Sequence, residues 1–181
     1  MPEGDTLAGI AQRMQPLVGR VPAIAAPQPR HAPLRIPERL AGQAVTAVES
    51  RGKHLLIRFD SGLVLHSHLR MSGRWDVGPP GRPTRRPRST AWLVLASGDC
   101  EALLFGGPVL ELLTPAQVGL HPALARLGPD ALDPAFDAPA AVARARRGPP
   151  EQTLADVLLD QRVIAGVGNV WKSEALFDLG L

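Results

Sequence analysis

Leu158-Leu159-Asp160-Gln161-Arg162-Val163-Ile164-Ala165-Gly166-Val167-Gly168-Asn169-Val170-Trp171-Lys172-Ser173-Glu174-Ala175-Leu176-Phe177 decides how the second half of the chain is read. Both flanks have helical composition, and Gly166 and Gly168 interrupt the pattern between them. Asn169 stands where it can cap a new helix. A glycine turn feeding a helix N-terminus presents backbone N–H groups to an anion. Lys172 lies one turn inside that helix. Taken alone, Gly-x-Gly is more often an ordinary turn. Upstream, residues 140–147 and 152–161 read as helices, and the proline-, alanine- and leucine-rich stretch 114–139 reads as a linker.

The first half has a different texture. Residues 43–50, 54–60, 63–69, 91–96, 101–105 and 109–113 are short extended segments bounded by Gly, Pro and Ser, with Asp60-Ser61-Gly62 as a turn. Such segments predict an antiparallel β-sandwich. Ahead of them, Leu7, Ile10, Met14 and Leu17 recur at helical spacing behind an Asp5 or Thr6 cap, with Gly19 as the stop. Residues 20–39 read as an irregular connector. The expected fold class is α+β: a sandwich domain over 1–115 with a flanking helix, then an incomplete helical domain over 116–181.

Composition narrows the function. The 181 residues are 45% hydrophobic, which excludes a disordered chain. The net charge of +3 suits an anionic partner. Cys100 is the single cysteine, so no disulfide and no four-cysteine zinc site forms within the chain. No signal peptide or membrane span is read, which points to a cytoplasmic protein. Eighteen of the twenty basic residues are arginines; the two lysines are Lys53 and Lys172. Residues 78–88 form a basic loop that could touch phosphate, although a solvated loop is at least as common an outcome.

At the start, Met1-Pro2-Glu3-Gly4-Asp5-Thr6 places a proline behind the initiator. Trimming of Met1 would free a secondary amine, and an α-amino group titrates at roughly pH 7.7–8.0. Such an amine can form a Schiff base, with Glu3 adjacent as a proton source. On these residues alone, an inert terminus is the plainer reading. Arg51-Gly52-Lys53 is likewise an ordinary hairpin turn taken alone. In His68-Leu69-Arg70-Met71-Ser72-Gly73, a loop methionine can wedge between base pairs, but methionine more commonly folds back into the core.

Together these three stretches, in this order and spacing, resemble the formamidopyrimidine-DNA glycosylase/endonuclease VIII family. Residues 158–177 resemble its helix–two-turns–helix element. Gly4 leans toward the endonuclease VIII branch. The resemblance runs from Pro2 to Leu181. It implies base-excision repair: double-stranded DNA carrying an oxidised base or an abasic site as partner, and excision of the base followed by nicking of the abasic site. It implies Pro2 as Schiff-base nucleophile, Glu3 as proton donor, Lys53 as phosphate contact in the elimination, and His68, Arg70, Met71, Asn169 and Lys172 on DNA. The chain is expected to act as a monomer, without cofactor and with no metal site, near the nucleoid when bound to DNA.

Two departures from the family pattern stand out. Thr6 occupies a position where members commonly carry a second glutamate. The family also continues past this point with further helices and a zinc finger or zincless hairpin, so the sequence reads as truncated. An idle DNA-binding remnant is therefore the competing reading. A metal enzyme built on His54, His66 and His68 is another, with no carboxylate or cysteine at a telling spacing. His31 and His121 read as solvated loop residues, and Trp75, Trp92 and Trp171 as core.

Overall fold

The computed structural model describes residues 2–29 and 34–181; the expectations for Met1 and His31 lie outside the described residues. The chain folds as α+β. Eight strands, β1 (Ala23–Ala25), β2 (Val45–Arg51), β3 (His54–Phe59), β4 (Val64–His68), β5 (Arg74–Gly78), β6 (Leu93–Ser97), β7 (Cys100–Phe105) and β8 (Val109–Leu113), form two antiparallel sheets. Their orders are β1-β6-β7-β5 and β2-β3-β4-β8.

Side chains alternate across each strand, so each sheet has an inward and an outward set. Leu55, Ile57, Phe59 and Leu65 from one sheet meet Trp75, Leu93, Leu95 and Leu104 from the other in a single core. The outward set of β3 and β4 includes Leu56 and Val64, which Val118 and Leu124 cover. Helix α1 (Gly4–Arg13) packs along β2 and sinks Leu7 and Ile10 into the main core; it stops short of the expected Gly19, and Met14 at its C-cap and Leu17 in the 3-10 turn that follows (Gln15–Leu17) join the same core.

Several expectations need correcting. Residues 20–39 are not wholly irregular: they contain β1 and a short helix α2 (Ile36–Arg39). β5 was not expected as a strand. Helix α1 begins at Gly4 with Glu3 at the cap position, so neither Asp5 nor Thr6 caps it. The basic loop is partly spent inward, since Arg82 pairs with Asp76 at 2.8 Å and Arg88 pairs with the buried Glu101.

The helices of the second half are α3 (Pro115–Leu120), α4 (Ala138–Ala145), α5 (Leu154–Leu159) and α6 (Asn169–Asp178). Thr114 opens α3 through a capping box with Gln117, Asp137 caps α4, and Thr153 caps α5. These caps explain why α4 and α5 differ by a few residues from the predicted spans. Among the described residues, no helix is long and apolar enough to cross a membrane. Trp75 and Trp92 pack in or against the core as expected, but Trp171 is 51% exposed on α6, at the rim of a cavity it shares with Leu132 and Leu158.

The two halves meet where backbones touch. Gly4 N–H donates to the Gly166 carbonyl at 2.9 Å, and a Cβ on Gly4 would lie 2.9 Å from Gly166 Cα. Gly52 sits at φ 54°, where a Cβ would press on Ala165 and the Gly166 nitrogen. Gly4→Ala should therefore wedge backbone from backbone and cost about 1–3 kcal/mol, as overpacking does. Thermal unfolding of the variant checks this; an unchanged midpoint would show that the contact yields freely.

Candidate active site at the N-terminus

Glu3 is the residue on which the site is built. It is 2% exposed, and its carboxylate lies across the N-terminus of α6. Oε2 accepts from Gly168 N–H at 2.9 Å and from Trp171 N–H at 3.3 Å, and Oε1 accepts from Val170 N–H at 2.8 Å. These are first-turn N–H groups that the helix itself leaves unpaired, and they lie at the positive end of its dipole. Gly168 is the cap position and has no side chain to offer, because a Cβ there would collide with Glu3. Asn169 therefore does not cap α6, contrary to expectation; it is the first helical residue and is exposed.

The turn that carries Gly168 is held from two sides. Gln161 Nε2 donates to the carbonyls of Leu159 and Val167, and its Oε1 accepts from Gly166 N–H at 3.0 Å. Asp130 Oδ2 accepts from Gly52 N–H at 2.6 Å, while the backbone around Asp130 pairs with Ala165. This network brings the β2–β3 turn to the same place as the N-terminus. Lys53 is consequently half-buried and feels the Glu3 charge. Burial lowers its pKa below the ordinary lysine value, and Glu3 acts in the opposite direction. Lys172 is partly buried beside Gly4, Asp5 and Gly166, lining an apolar cavity of about 280 Å³. Pro2 directly precedes Glu3 and is partly exposed.

The His68–Gly73 loop lies apart from these contacts. Met71 is 73% exposed, and Arg70 is exposed with φ 49°, an uncommon backbone state for a residue with a side chain. His68 Nδ1 accepts from Arg70 N–H at 3.1 Å, so a neutral ring carries its proton on Nε2. Burial, helped by Arg70, lowers its pKa to about 4.

A histidine cluster occupies the outward face of the β2-β3-β4-β8 sheet. His54 Nδ1 lies 2.9 Å from His66 Nε2, and His54 and His68 meet edge to face. His66 Nδ1 lies 2.9 Å from Glu111 Oε2, and His121 Nε2 lies 3.1 Å from the same oxygen. The expectation of a solvated His121 is thus corrected, and Glu111 reaches the histidines although it stands at no telling spacing from them in the sequence. The β4–β8 register sets Glu111 directly opposite His66, which spacing along the chain does not reveal. Burial, helped by the neighbouring histidines, lowers the His54 pKa to about 3, and burial lowers that of His66 against the pull of Glu111.

A β-sandwich whose Glu3 seats on the N-terminus of α6 defines a two-part α+β fold in which the helical half closes on the chain's N-terminal segment. Two family models fit the chain in turn: the formamidopyrimidine-DNA glycosylase N-terminal domain over residues 1–107 and the formamidopyrimidine-DNA glycosylase H2TH domain over residues 127–181. A probable endonuclease 8 from Streptomyces coelicolor is 42% identical over 187 residues, covering 100% of this chain and 64% of the relative. An endonuclease 8 from Escherichia coli is 36% identical over 189 residues, covering 100% and 69%. The chain therefore belongs to the formamidopyrimidine-DNA glycosylase/endonuclease VIII family, and it spans about two thirds of the length of these relatives. The fold also matches a crystal structure of Lactococcus lactis formamidopyrimidine-DNA glycosylase bound non-covalently to DNA with an abasic site. That match has a TM-score of 0.75 and 21% identity, and covers 96% of this chain and 67% of the other.

Two outcomes follow from the geometry. Glu3→Ala strands three N–H groups at the base of α6, so it should cost roughly 1–3 kcal/mol and separate the two halves in limited proteolysis. A variant as stable and as protease-resistant as the parent would show that Glu3 holds nothing together. The second concerns acid. His54 and His68 have folded pKa values near 3 and 4. Unfolded, each takes up a proton as pH falls through about 6.5, while the folded chain does not. Their contribution is therefore neutral above that pH, and stability is lost as pH falls from it toward 4. Unfolding midpoints between about pH 7.5 and 5 should drop, and His68→Gln should flatten the slope. Parallel slopes would remove His68 from the account.

Proposed function

We propose that the chain acts on double-stranded DNA as a bifunctional base-excision enzyme: it removes an oxidised base, with pyrimidines favoured, and cleaves the abasic site through a Schiff base at Pro2. The observation that carries this reading is the seating of Glu3 on α6, which fixes the residue next to Pro2 and places its charge within reach of Lys53. The pyrimidine preference rests on Gly4, which leans toward the endonuclease VIII branch that the relatives' names share.

In this proposal the duplex is held through its phosphates by Lys53, His68, Asn169 and Lys172, which set register without reading sequence. The damaged nucleotide is extruded at a cost of a few kcal/mol. The exposed Met71 fills the vacated stack beside Arg70. The Pro2 nitrogen bonds to C1′ as the base departs with the glycosidic electron pair and takes a proton from water, and the new ammonium then gives its N–H proton to the adjacent Glu3 carboxylate. A carboxylate offers about four lone-pair sites, and three N–H donors leave Glu3 one site to receive the proton that the Pro2 nitrogen sheds. That proton goes to O4′ as the sugar ring opens, leaving an iminium on Pro2. The iminium draws electrons from C2′, which loses a proton, and the 3′ phosphate leaves by β-elimination. Lys53 balances the departing charge. Water then hydrolyses the iminium and restores the amine. No step calls on a metal or an organic cofactor.

Borohydride trapping on a duplex with one abasic site, read by intact mass and peptide mapping, tests the proposal. An adduct on Pro2 is expected; Pro2→Gly should lose most of it, and Lys53→Gln should slow strand cleavage on the order of 10²–10³-fold. A folded, Met1-free chain that gives no adduct yet binds duplex in a salt-sensitive way would replace this reading with the idle DNA-binding one. The exposed Val170, Trp171, Phe177, Leu179 and Leu181 are the observation that favours that alternative, since this apolar surface has no cover among the described residues.

A further inference from the structure

We propose that His66, Glu111 and His121 form a zinc-binding site that ties the segment following α3 to the outer face of the sandwich. The argument rests on where the three donor atoms stand. His66 Nδ1 and His121 Nε2 both point at Glu111 Oε2, at 2.9 and 3.1 Å, and all three atoms lie within 4.8 Å of one another. In a tetrahedral zinc site with bonds of 2.0–2.1 Å, neighbouring donor atoms stand about 3.3 Å apart. A small outward movement of the Glu111 carboxylate, whose side chain is 42% exposed, opens that space. Two imidazoles and a carboxylate are a donor set that zinc takes, with water in the fourth position.

The surroundings have the supports that such sites use. His66 Nε2 lies 2.9 Å from His54 Nδ1. With zinc on Nδ1, Nε2 carries the His66 proton and donates it to His54, which fixes the ring. The β4–β8 register sets His66 against Glu111, and the capping box at Thr114 fixes the start of the helix that delivers His121 at its end. One contact is given up. His121 Nδ1 now accepts from Ala123 N–H at 3.3 Å, and a ring bound through Nε2 carries its proton on Nδ1 instead. That contact is long, so little opposes the exchange. The ion has an entry path, because a cavity of about 470 Å³ lined by His68, Arg70, Arg126 and Leu127 opens onto the cluster. Cys100 lies in the sandwich core and takes no part.

The role assigned is structural. The ligands join β4, β8 and the turn after α3, so zinc would brace the junction between the sandwich and the helices without touching Pro2. The test uses the full chain, tag-free and stripped with a chelator, titrated with Co²⁺. Saturable visible d–d absorption at one ion per chain, displaced by Zn²⁺, is expected, together with a higher unfolding midpoint in Zn²⁺. Glu111→Gln and His121→Ala should each lose the spectrum. His121→Cys should keep it and add a thiolate-to-cobalt charge-transfer band, which loss of a merely structural ring would not produce. A folded chain with no saturable spectrum, or one whose spectrum survives Glu111→Gln and His121→Ala, overturns the proposal.

Discussion

Three N–H groups of one helix converge on one carboxylate, and the arrangement of the molecule depends on that contact. The Glu3 carboxylate supplies what Gly168 cannot, a side-chain cap for α6. An anion at a helix N-terminus is favoured by the dipole as well as by the hydrogen bonds. Burial of Glu3 and Gly168 raises the cost of leaving that contact unmade. Glu3, next to the Pro2 amine of the proposed mechanism, is thereby held by the domain expected to hold DNA.

Close approach of the two halves requires the missing side chains. Gly4 lies on Gly166, Gly52 lies on Ala165 and Gly166, and Gly168 makes room for Glu3. Asp130 and Gln161 then fix backbone groups that this tight contact would otherwise leave unpaired. Gly4 thus has a packing reason in this chain, apart from what it indicates about the branch of the family.

Much of the sandwich was legible because its strands alternate and its turns carry glycine: β8 appears over the residues expected, and the Asp60-Ser61-Gly62 turn closes with Gly62 at φ 82°. β1 was hidden because its three residues, in a four-residue run between Pro22 and Pro27, give no period to read. β5 alternates only Trp75 and Val77 and follows a loop motif, so it read as more loop. At the site, the motif stretches pointed to Glu3 and Lys53, but nothing local could show that Glu3 caps a helix 165 residues away. The capping role went to Asn169 because local propensity favours it, and a distant carboxylate won. Glu111 escaped notice because sheet register rather than sequence spacing brings it to His66, and His121 read as solvated because only the fold of the turn after α3 brings it to Glu111.

The contact between Glu3 and residues 168–171 also has a temporal side. It spans nearly the whole described chain, so it is among the last that a growing polypeptide can close. The sandwich strands end at Leu113 and can pair before the capped helix exists. Until Trp171 has been synthesised, the Glu3 carboxylate lacks its full set of partners. Completion of the helical half is then what fixes Glu3, so a residue translated third waits for residues 168–171 before it is held in place.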